Sequence, residues 1–353
     1  MLSILGSTWG ALARCRASLY EAGWLRRHTL ERPVISVGAL SVGGAGKTPT
    51  TALVASLLSE AGCRPAILSR GYKRSGATPL LVSRGDGRGP IVGVAEAGDE
   101  PFWLASVLPA VPVAVASRRE EAAHIVLSAA AAAADVFLLD DGFQHLRVCR
   151  DANLLVVNPE RPFWNDAPMP VGRLRESPAA AARADGFLIV GADTESATRL
   201  HDRYPKRPRF ELTRQAPRCW SLDEQIPEAR PTGGIDEATE ARIDGPVFAF
   251  AGIARPERFF EDLEADGVVL QGRHAFPDHH EFRARDLGQV VDMARECGAA
   301  TLVTTEKDAV RLPHEAVEIP LRVWGYRLQA SEPERLVAWL KDRAGLSFLP
   351  DAA

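Results

Sequence analysis

Short runs of aliphatic and β-branched residues recur along the chain, each followed by a longer stretch with apolar positions at helical spacing. Residues 33–37, 64–68, 113–115, 136–139, 154–157 and 187–190 read as buried strands, and a helix is expected from the segment after the first strand to about Leu58. Strands of this apolar kind alternating with helices predict an α/β fold, a mostly parallel sheet with helices on both faces. The alanine-rich stretch 122–134 fits helix propensity better than any site. Between 221 and 245 the pattern dissolves into Pro, Gly and acidic residues, which reads as a linker. A second, smaller α/β pattern follows, with strands at 247–251, 301–304 and 321–323 and helices from Pro256, over 287–297 and over 332–340. The expected organisation is therefore an N-terminal helix within 1–30, a core over 31–220, the linker 221–245 and a C-terminal domain over 246–353.

In the first 30 residues Leu2, Leu5, Trp9, Leu12 and Leu19 recur at roughly helical spacing, with Arg14, Arg26 and Arg27 among them. The run is too short in apolar residues to span a bilayer, and no cleavage site follows an apolar core. Two readings stay open on the residues alone: a helix lying on a membrane surface, or one packed on its own domain with Arg16 on the apolar side. Composition narrows the partners further. Hydrophobic residues make up 46% and charged ones 25% of the 353, as in ordinary globular proteins. The net charge of −4 offers nucleic acid no bulk attraction. Five scattered cysteines without C-x-x-C spacing suit a reducing compartment, and nothing points to an obligate protein partner.

The chemistry gathers after the first strand. Ser41-Val42-Gly43-Gly44-Ala45-Gly46-Lys47-Thr48 lies between a strand and a helix, where glycines let backbone N–H groups converge on phosphate oxygens. Lys47 would reach the β- and γ-phosphates, and the Thr48 hydroxyl would bind Mg²⁺. This predicts a P-loop NTPase-like core, although Ser41 stands where the general pattern has Gly. Val136-Phe137-Leu138-Leu139-Asp140 supplies a strand-end carboxylate for the metal, and Asp141 points elsewhere and takes a different task. A guanine-reading motif would need Lys-x-Asp, whereas Thr305-Glu306-Lys307-Asp308 has the two adjacent, so ATP is the expected nucleotide. The Gly43-Gly44 doublet also suits switch ATPases of the chromosome-partitioning and metal-delivery kind, but Val42 occupies their signature lysine position. Arg119, beyond the strand at 113–115, is either a phosphate-neutralising cation or a solvated helix start.

Taken in order, eight segments between about 33 and 312 resemble the tetraacyldisaccharide 4'-kinase family. They are the loop with Pro49, Ser69-Arg70-Gly71-Tyr72, Gly98-Asp99-Glu100-Pro101, Asp140-Asp141-Gly142-Phe143-Gln144-His145, Gly172-Arg173-Leu174-Arg175-Glu176, Ala251-Gly252-Ile253, Asp278-His279-His280 and 304–310. The family has Ser at the first loop position, and it often has Pro where this chain has Arg173 and Ser177. The resemblance implies transfer of the ATP γ-phosphate to the 4'-hydroxyl of a tetraacylated disaccharide 1-phosphate, a lipid A precursor. It also implies peripheral attachment to the cytoplasmic face of the inner membrane through the N-terminal helix. Asp99 becomes the catalytic carboxylate that deprotonates the acceptor, with His279 orienting it and raising its basicity. Glu100 would assist at the metal; Tyr72, Asp141, Gln144, His145, Arg175 and Glu176, with Arg119, become candidates for the substrate. Lys307 and Asp308 would brace the second domain. Two other readings remain: a switch ATPase that phosphorylates nothing, and a kinase with a soluble acceptor.

Overall fold

A computed structural model describes residues 2–129, 134–191, 193–222, 243, 245–313 and 318–346, with backbone alone for 2–5 and 7. The linker expected at 221–245 lies almost wholly outside the described residues, as does part of the alanine-rich stretch. In chain order the first elements are α1 (Leu2–Glu21), β1 (Val34–Gly38), α2 (Lys47–Glu60), β2 (Pro65–Ser69), β3 (Leu80–Arg84), α3 (Val94–Ala97), α4 (Asp99–Val107) and β4 (Pro112–Val115). Next come α5 (Arg119–Ala129), β5 (Val136–Asp140), β6 (Ala152–Val157), β7 (Gly186–Val190), α6 (Thr194–Arg203), β8 (Arg209–Arg214) and β9 (Arg218–Ser221). The remainder comprises β10 (Val247–Ala251), α7 (Pro256–Ala265), β11 (Leu270–Ala275), α8 (Ala284–Glu296), β12 (Thr301–Thr305), α9 (Glu306–Ala309), β13 (Leu321–Gly325), β14 (Leu328–Ala330) and α10 (Pro333–Ala344).

Strands β1, β2, β4, β5 and β6 are buried at every position, as expected of a sheet covered on both faces. They belong to a nine-stranded sheet in the order β14-β8-β7-β6-β1-β5-β2-β4-β3. Its interior pairs are parallel, while β3 and β14 close the two edges antiparallel. The chain leaves β1 toward β2 on one side and later returns to β6 on the other, so the order reverses beside β1. Such a reversal opens a crevice at the carboxyl ends of the strands. A five-stranded sheet, β11-β10-β12-β13-β9, repeats the parallel arrangement with β9 as its antiparallel edge.

Two elements cross the boundaries expected from sequence. Residues 218–220 fall at the end of the expected first unit, yet strand β9, which was not expected, pairs with β13 of the second sheet. Strand β14 and helix α10, expected in the second unit, return to the first: β14 pairs with β8. From α10, Lys341 Nζ donates to the Ala61 carbonyl at the end of α2, 2.7 Å away. The two sheets thus exchange strands, and a cut at 245 divides neither cleanly.

Helix α1 packs along the loop at 166–175. A Cβ on Gly6 would fall 2.7 Å from Val171 Cγ2, and one on Gly10 3.4 Å from Pro168 Cγ, so two glycines one turn apart let this loop approach the helix. Trp9 Nε1 donates to the Arg175 carbonyl (3.0 Å), and Arg16 reaches the Gln144 carbonyl (3.4 Å). Leu12, Leu19, Trp24 and Leu25 remain exposed, Leu12 by 68% and Trp24 by 82%. Among the described residues no helix is long and apolar enough to cross a membrane.

Candidate functional site

The loop between β1 and α2 is shaped by glycines that adopt conformations other residues resist: φ is 64° at Gly43, 63° at Gly44 and 79° at Gly46. Gly46 caps α2 in the left-handed conformation, so Lys47 opens the helix and its N-terminal N–H groups face the crevice. The loop is fastened at both ends of its arc. Val42 N donates to the Arg173 carbonyl (2.9 Å), Ser41 bridges Leu174, and Asn158 Nδ2 donates to the Gly44 carbonyl (3.3 Å).

Two adjacent carboxylates face this loop in different ways. Asp140, ending β5, is 1% exposed; Thr51 Oγ1 and Ser69 Oγ each donate to one of its oxygens at 3.1 Å. Burial, then the nearby charges of Glu100 and Asp141, push its carboxyl well above the ordinary range. Asp141 turns out of the strand at φ 49°, and its carboxylate meets Arg175 Nη1 at 2.6 Å and Lys47 Nζ at 3.5 Å. Burial alone would raise its pKa, but Lys47 and Arg175 outweigh that and hold it below the usual range. The strand does not continue through Asp141 as expected; the residue turns out of it and pairs with the two cations.

The donor set suits Mg²⁺. Asp140, Glu100 and Asp141 crowd negative charge that a divalent cation relieves, and the Thr48 hydroxyl lies one residue beyond Lys47 on the same helix turn. Mg²⁺ binds through one or two carboxylates and completes its shell with phosphate oxygens and water. Among the described residues no group of three or more His, Cys, Asp and Glu could hold a metal alone.

Asp99 opens α4 behind Gly98, whose φ of 88° and close approach to the Tyr72 carbonyl leave no room for a side chain. Its Oδ2 meets His279 Nδ1 at 2.9 Å, and Arg311 Nε stands 3.5 Å from the same oxygen. The other face of the imidazole meets Lys307, whose Nζ lies 3.4 Å from Nε2, and the Tyr72 ring stands edge-on with centroids 5.7 Å apart. His279 itself is held at φ 61° in a turn after β11. The expectation that His279 raises the basicity of Asp99 is not met. Burial raises the carboxyl, but the His279 hydrogen bond, Arg311 and Lys307 together pull it below the usual carboxylate range. The pair orients an ionised carboxylate instead.

The remaining expected residues divide. Arg119 is no solvated helix start: it is 3% exposed, its guanidinium reaches the Ala116 and Asp140 carbonyls, and burial lowers its pKa to about 10. Its Nε is buried without a hydrogen-bond partner. Gln144 links the Ala39 carbonyl (3.0 Å) to Arg175 (3.1 Å). His145 Nε2 is buried and unpartnered, and burial followed by Arg119 lowers its pKa to about 3, which keeps the ring neutral. Glu176 is buried in an ion pair with Arg183 at 2.7 Å. Tyr72 is exposed beside His279. Asp308 braces the second sheet, accepting from Thr305 Oγ1 and Gly252 N, whereas Lys307 reaches into the site.

Sequence reasoning assigned no role to Thr51, Ser69, Arg311 or Asn158. Ser69 and Thr51 carried a signal, since each sits at the strand end or first helical turn facing the acidic strand end. Arg311 could have been found three residues after Asp308, a spacing that pairs side chains on one helical face.

Comparison with known proteins gives concordant matches. The family model described as tetraacyldisaccharide-1-P 4'-kinase (LpxK) matches residues 1–345. A tetraacyldisaccharide 4'-kinase of Desulfotalea psychrophila is 38% identical over 318 residues, covering 90% of this chain and 89% of that protein. One of Anaeromyxobacter dehalogenans is 41% identical over 304 residues, covering 86% and 78%. A crystal structure of LpxK from Aquifex aeolicus in complex with ATP superposes with a TM-score of 0.74 at 29% identity, covering 96% and 97% of the two chains.

Proposed function

The chain belongs to the tetraacyldisaccharide 4'-kinase family, and from that premise we propose that it transfers the γ-phosphate of ATP to the 4'-hydroxyl of a tetraacyldisaccharide 1-phosphate in lipid A biosynthesis. One observation carries the mechanism: an ionised carboxylate, Asp99, is held by His279 from the other sheet, beside a glycine loop built for phosphates.

Backbone N–H groups of residues 43–48 cradle the phosphate chain, and Lys47 offsets its charge. Asp141 keeps the Lys47 ammonium near the loop and ties it to Arg175. Thr48 and Asp140 would hold Mg²⁺, with Glu100 beside them, and the bound ion would supply positive charge to offset that of the phosphates. Asp99 takes the proton of the acceptor hydroxyl as its oxygen attacks. His279 and Arg311 both occupy Oδ2, which leaves Oδ1 for that proton. Arg175, Gln144 and Tyr72 are the side chains that the acceptor meets; Arg119 and the His145 Nε2, both buried, support the site from behind, and Glu176 does so through Arg183.

Membrane attachment follows from α1. Gly6 and Gly10 face the loop 166–175, while Trp9, Leu12 and Leu19 on the helix and Trp24 and Leu25 just beyond it are exposed with Arg26 and Arg27 nearby, as suits a segment at a lipid surface. This brings a lipid acceptor to the loop 166–175 at the cytoplasmic face of the inner membrane. The test is incubation with ATP, Mg²⁺ and the disaccharide lipid, then mass analysis. A product heavier by one phosphoryl group is expected; ATP hydrolysis with unmodified lipid would overturn the reading in favour of a switch ATPase.

A further inference from the structure

The turn after β10 lies over the glycine loop. A Cβ on Gly43 would fall 3.8 Å from Ala254 Cβ, and one on Gly44 3.5 Å from Arg255 Cδ, so Arg255 of the second sheet is the long cationic side chain against the mouth of the loop. It stands at the N-cap of α7, before Pro256. Its guanidinium is paired at 3.3 Å with Glu160 Oε2, an oxygen it shares with Arg258.

Arg258 also reaches Asp262 at 3.8 Å, and Arg214 pairs with Asp262 at 2.9 Å. Arg258 thus keeps a carboxylate in reach on either side, so Glu160 stays paired if Arg255 leaves it. Glu160 belongs to the same short segment that grips the loop: Asn158 Nδ2 donates to the Gly44 carbonyl, and Asn158 Oδ1 accepts from Glu160 N at 3.0 Å. Glu160, Arg255 and Gly44 are thus held together, with Arg255 27% and Glu160 45% exposed at the side chain, open to exchange partners.

We infer that Arg255 is a nucleotide-positioning residue supplied by the second sheet, which exchanges Glu160 for the phosphate chain of ATP while Arg258 keeps Glu160. The inference rests on the assignment of ATP to the glycine loop. A guanidinium is suited to this exchange because it presents the same planar donors to phosphate as to carboxylate. Glu160 then acts as a competitor for Arg255, and its removal frees the cation.

The experiment compares ATP, ADP and adenosine binding by calorimetry to the full chain and its Arg255→Gln, Glu160→Gln and Lys47→Ala variants. Arg255→Gln should weaken ATP by about tenfold or more, the scale of a lost hydrogen bond to a charged group, and leave adenosine unchanged. Glu160→Gln should bind ATP as tightly as wild type or more tightly. If Arg255 serves only to dock the sheets through Glu160, both variants weaken ATP alike, and the inference is overturned. Unchanged ATP affinity in Arg255→Gln with a loss in Lys47→Ala overturns it while leaving the glycine-loop site intact. Unchanged affinity in both refutes the loop assignment itself. Thermal unfolding of each variant without nucleotide identifies any that fails to fold; for such a variant, Arg255→Lys supplies the reading, since a flexible point charge should recover part of the ATP affinity and none of the docking geometry.

Discussion

Replacing Asp99 by Ala removes the carboxylate that meets His279 Nδ1 at 2.9 Å and Arg311 Nε at 3.5 Å, and with it the proposed proton acceptor. Loss of a general base costs about 10²-fold or more in rate, a barrier increase of about 2.7 kcal/mol. His279→Ala should cost a similar factor, because the carboxylate then loses the donor that aims it. If the two act as one unit, the double variant is little worse than the poorer single, and the coupling energy approaches the same 2.7 kcal/mol or so. The electrostatics add a second readout. Burial pushes the Asp99 carboxyl up; the His279 hydrogen bond is the largest of the contributions that bring it below the ordinary range. Deleting His279 leaves the burial and removes that contribution, so the pKa rises and the acid limb of the rate moves to higher pH. Single-turnover rates with the lipid acceptor between about pH 4 and 8, spanning the ordinary carboxylate range and above, would resolve this, with ATP affinity measured separately. ATP binding should be near normal in both variants, since the glycine loop is untouched. Additive losses, a normal rate for Asp99→Ala or an unmoved acid limb in His279→Ala would each refute the reasoning.

Asp140→Asn keeps the shape that Thr51 and Ser69 grip but removes the charge, so the Mg²⁺ needed for half-maximal rate should rise by roughly 10–100-fold; an unchanged titration would remove Asp140 from the metal site. Arg327→Met leaves the Glu306 carboxylate buried without the guanidinium that meets both its oxygens at 2.7 and 2.8 Å, and should cost about 3–5 kcal/mol in urea unfolding at pH 8. Burial already raises the Glu306 pKa, and loss of the cation raises it further, so the deficit grows as pH rises through that value and shrinks at acid pH; a deficit independent of pH would contradict this. Leu12→Glu combined with Trp24→Glu alters two exposed side chains of the N-terminal segment and should weaken binding to anionic vesicles at least about tenfold without loss of fold, as sedimentation would show; undiminished binding would locate the anchor elsewhere.

The parts of the fold most legible in the sequence were those whose physics is local. Buried parallel strands such as β1 and β5 are continuous apolar runs, and the glycine loop announces itself because glycine adopts the positive φ values at 43, 44 and 46 without steric cost. Strands β3, β8, β9, β11 and β14 escaped notice. Arg209–Arg214 alternates polar and apolar residues one strand in from the sheet edge, Leu270–Ala275 is an edge strand rich in polar residues, and Leu328–Ala330 is three residues long, so their pairing is decided by the neighbouring strand. The same holds for the domain boundary: nothing in the polar stretch after Leu222 tells that β14 and α10 return to the first sheet. Within the site, Asp99 and His279 were named as partners through family resemblance, but Arg311 and Lys307 reach them only through the tertiary packing of α9.

That packing gives the second sheet a double hold on the base. Asp99 and Trp103 lie four residues apart on α4 and so share a face. At Asp99 that face meets His279 and Arg311; one turn on, the Trp103 ring stacks beneath the Arg327 guanidinium at 5.5 Å and contributes a hydrogen bond to Glu306. Helix α4 is thus clamped at two points by side chains from the second sheet and its exit strand. The glycine loop touches that same sheet through Ala254 and Arg255. The proposed proton acceptor and phosphate cradle therefore both touch one body, although each is carried by the first sheet. A small rotation of the second sheet would move His279 and Arg255 together, changing the aim of the base and the grip on the phosphates in one motion. Closure in which phosphate and acceptor engage together suits a kinase, which must exclude water until both are present. The exchanged strands act in the same direction: with β9 and β14 each crossing between the sheets, the two are tied by the backbone at more than one point.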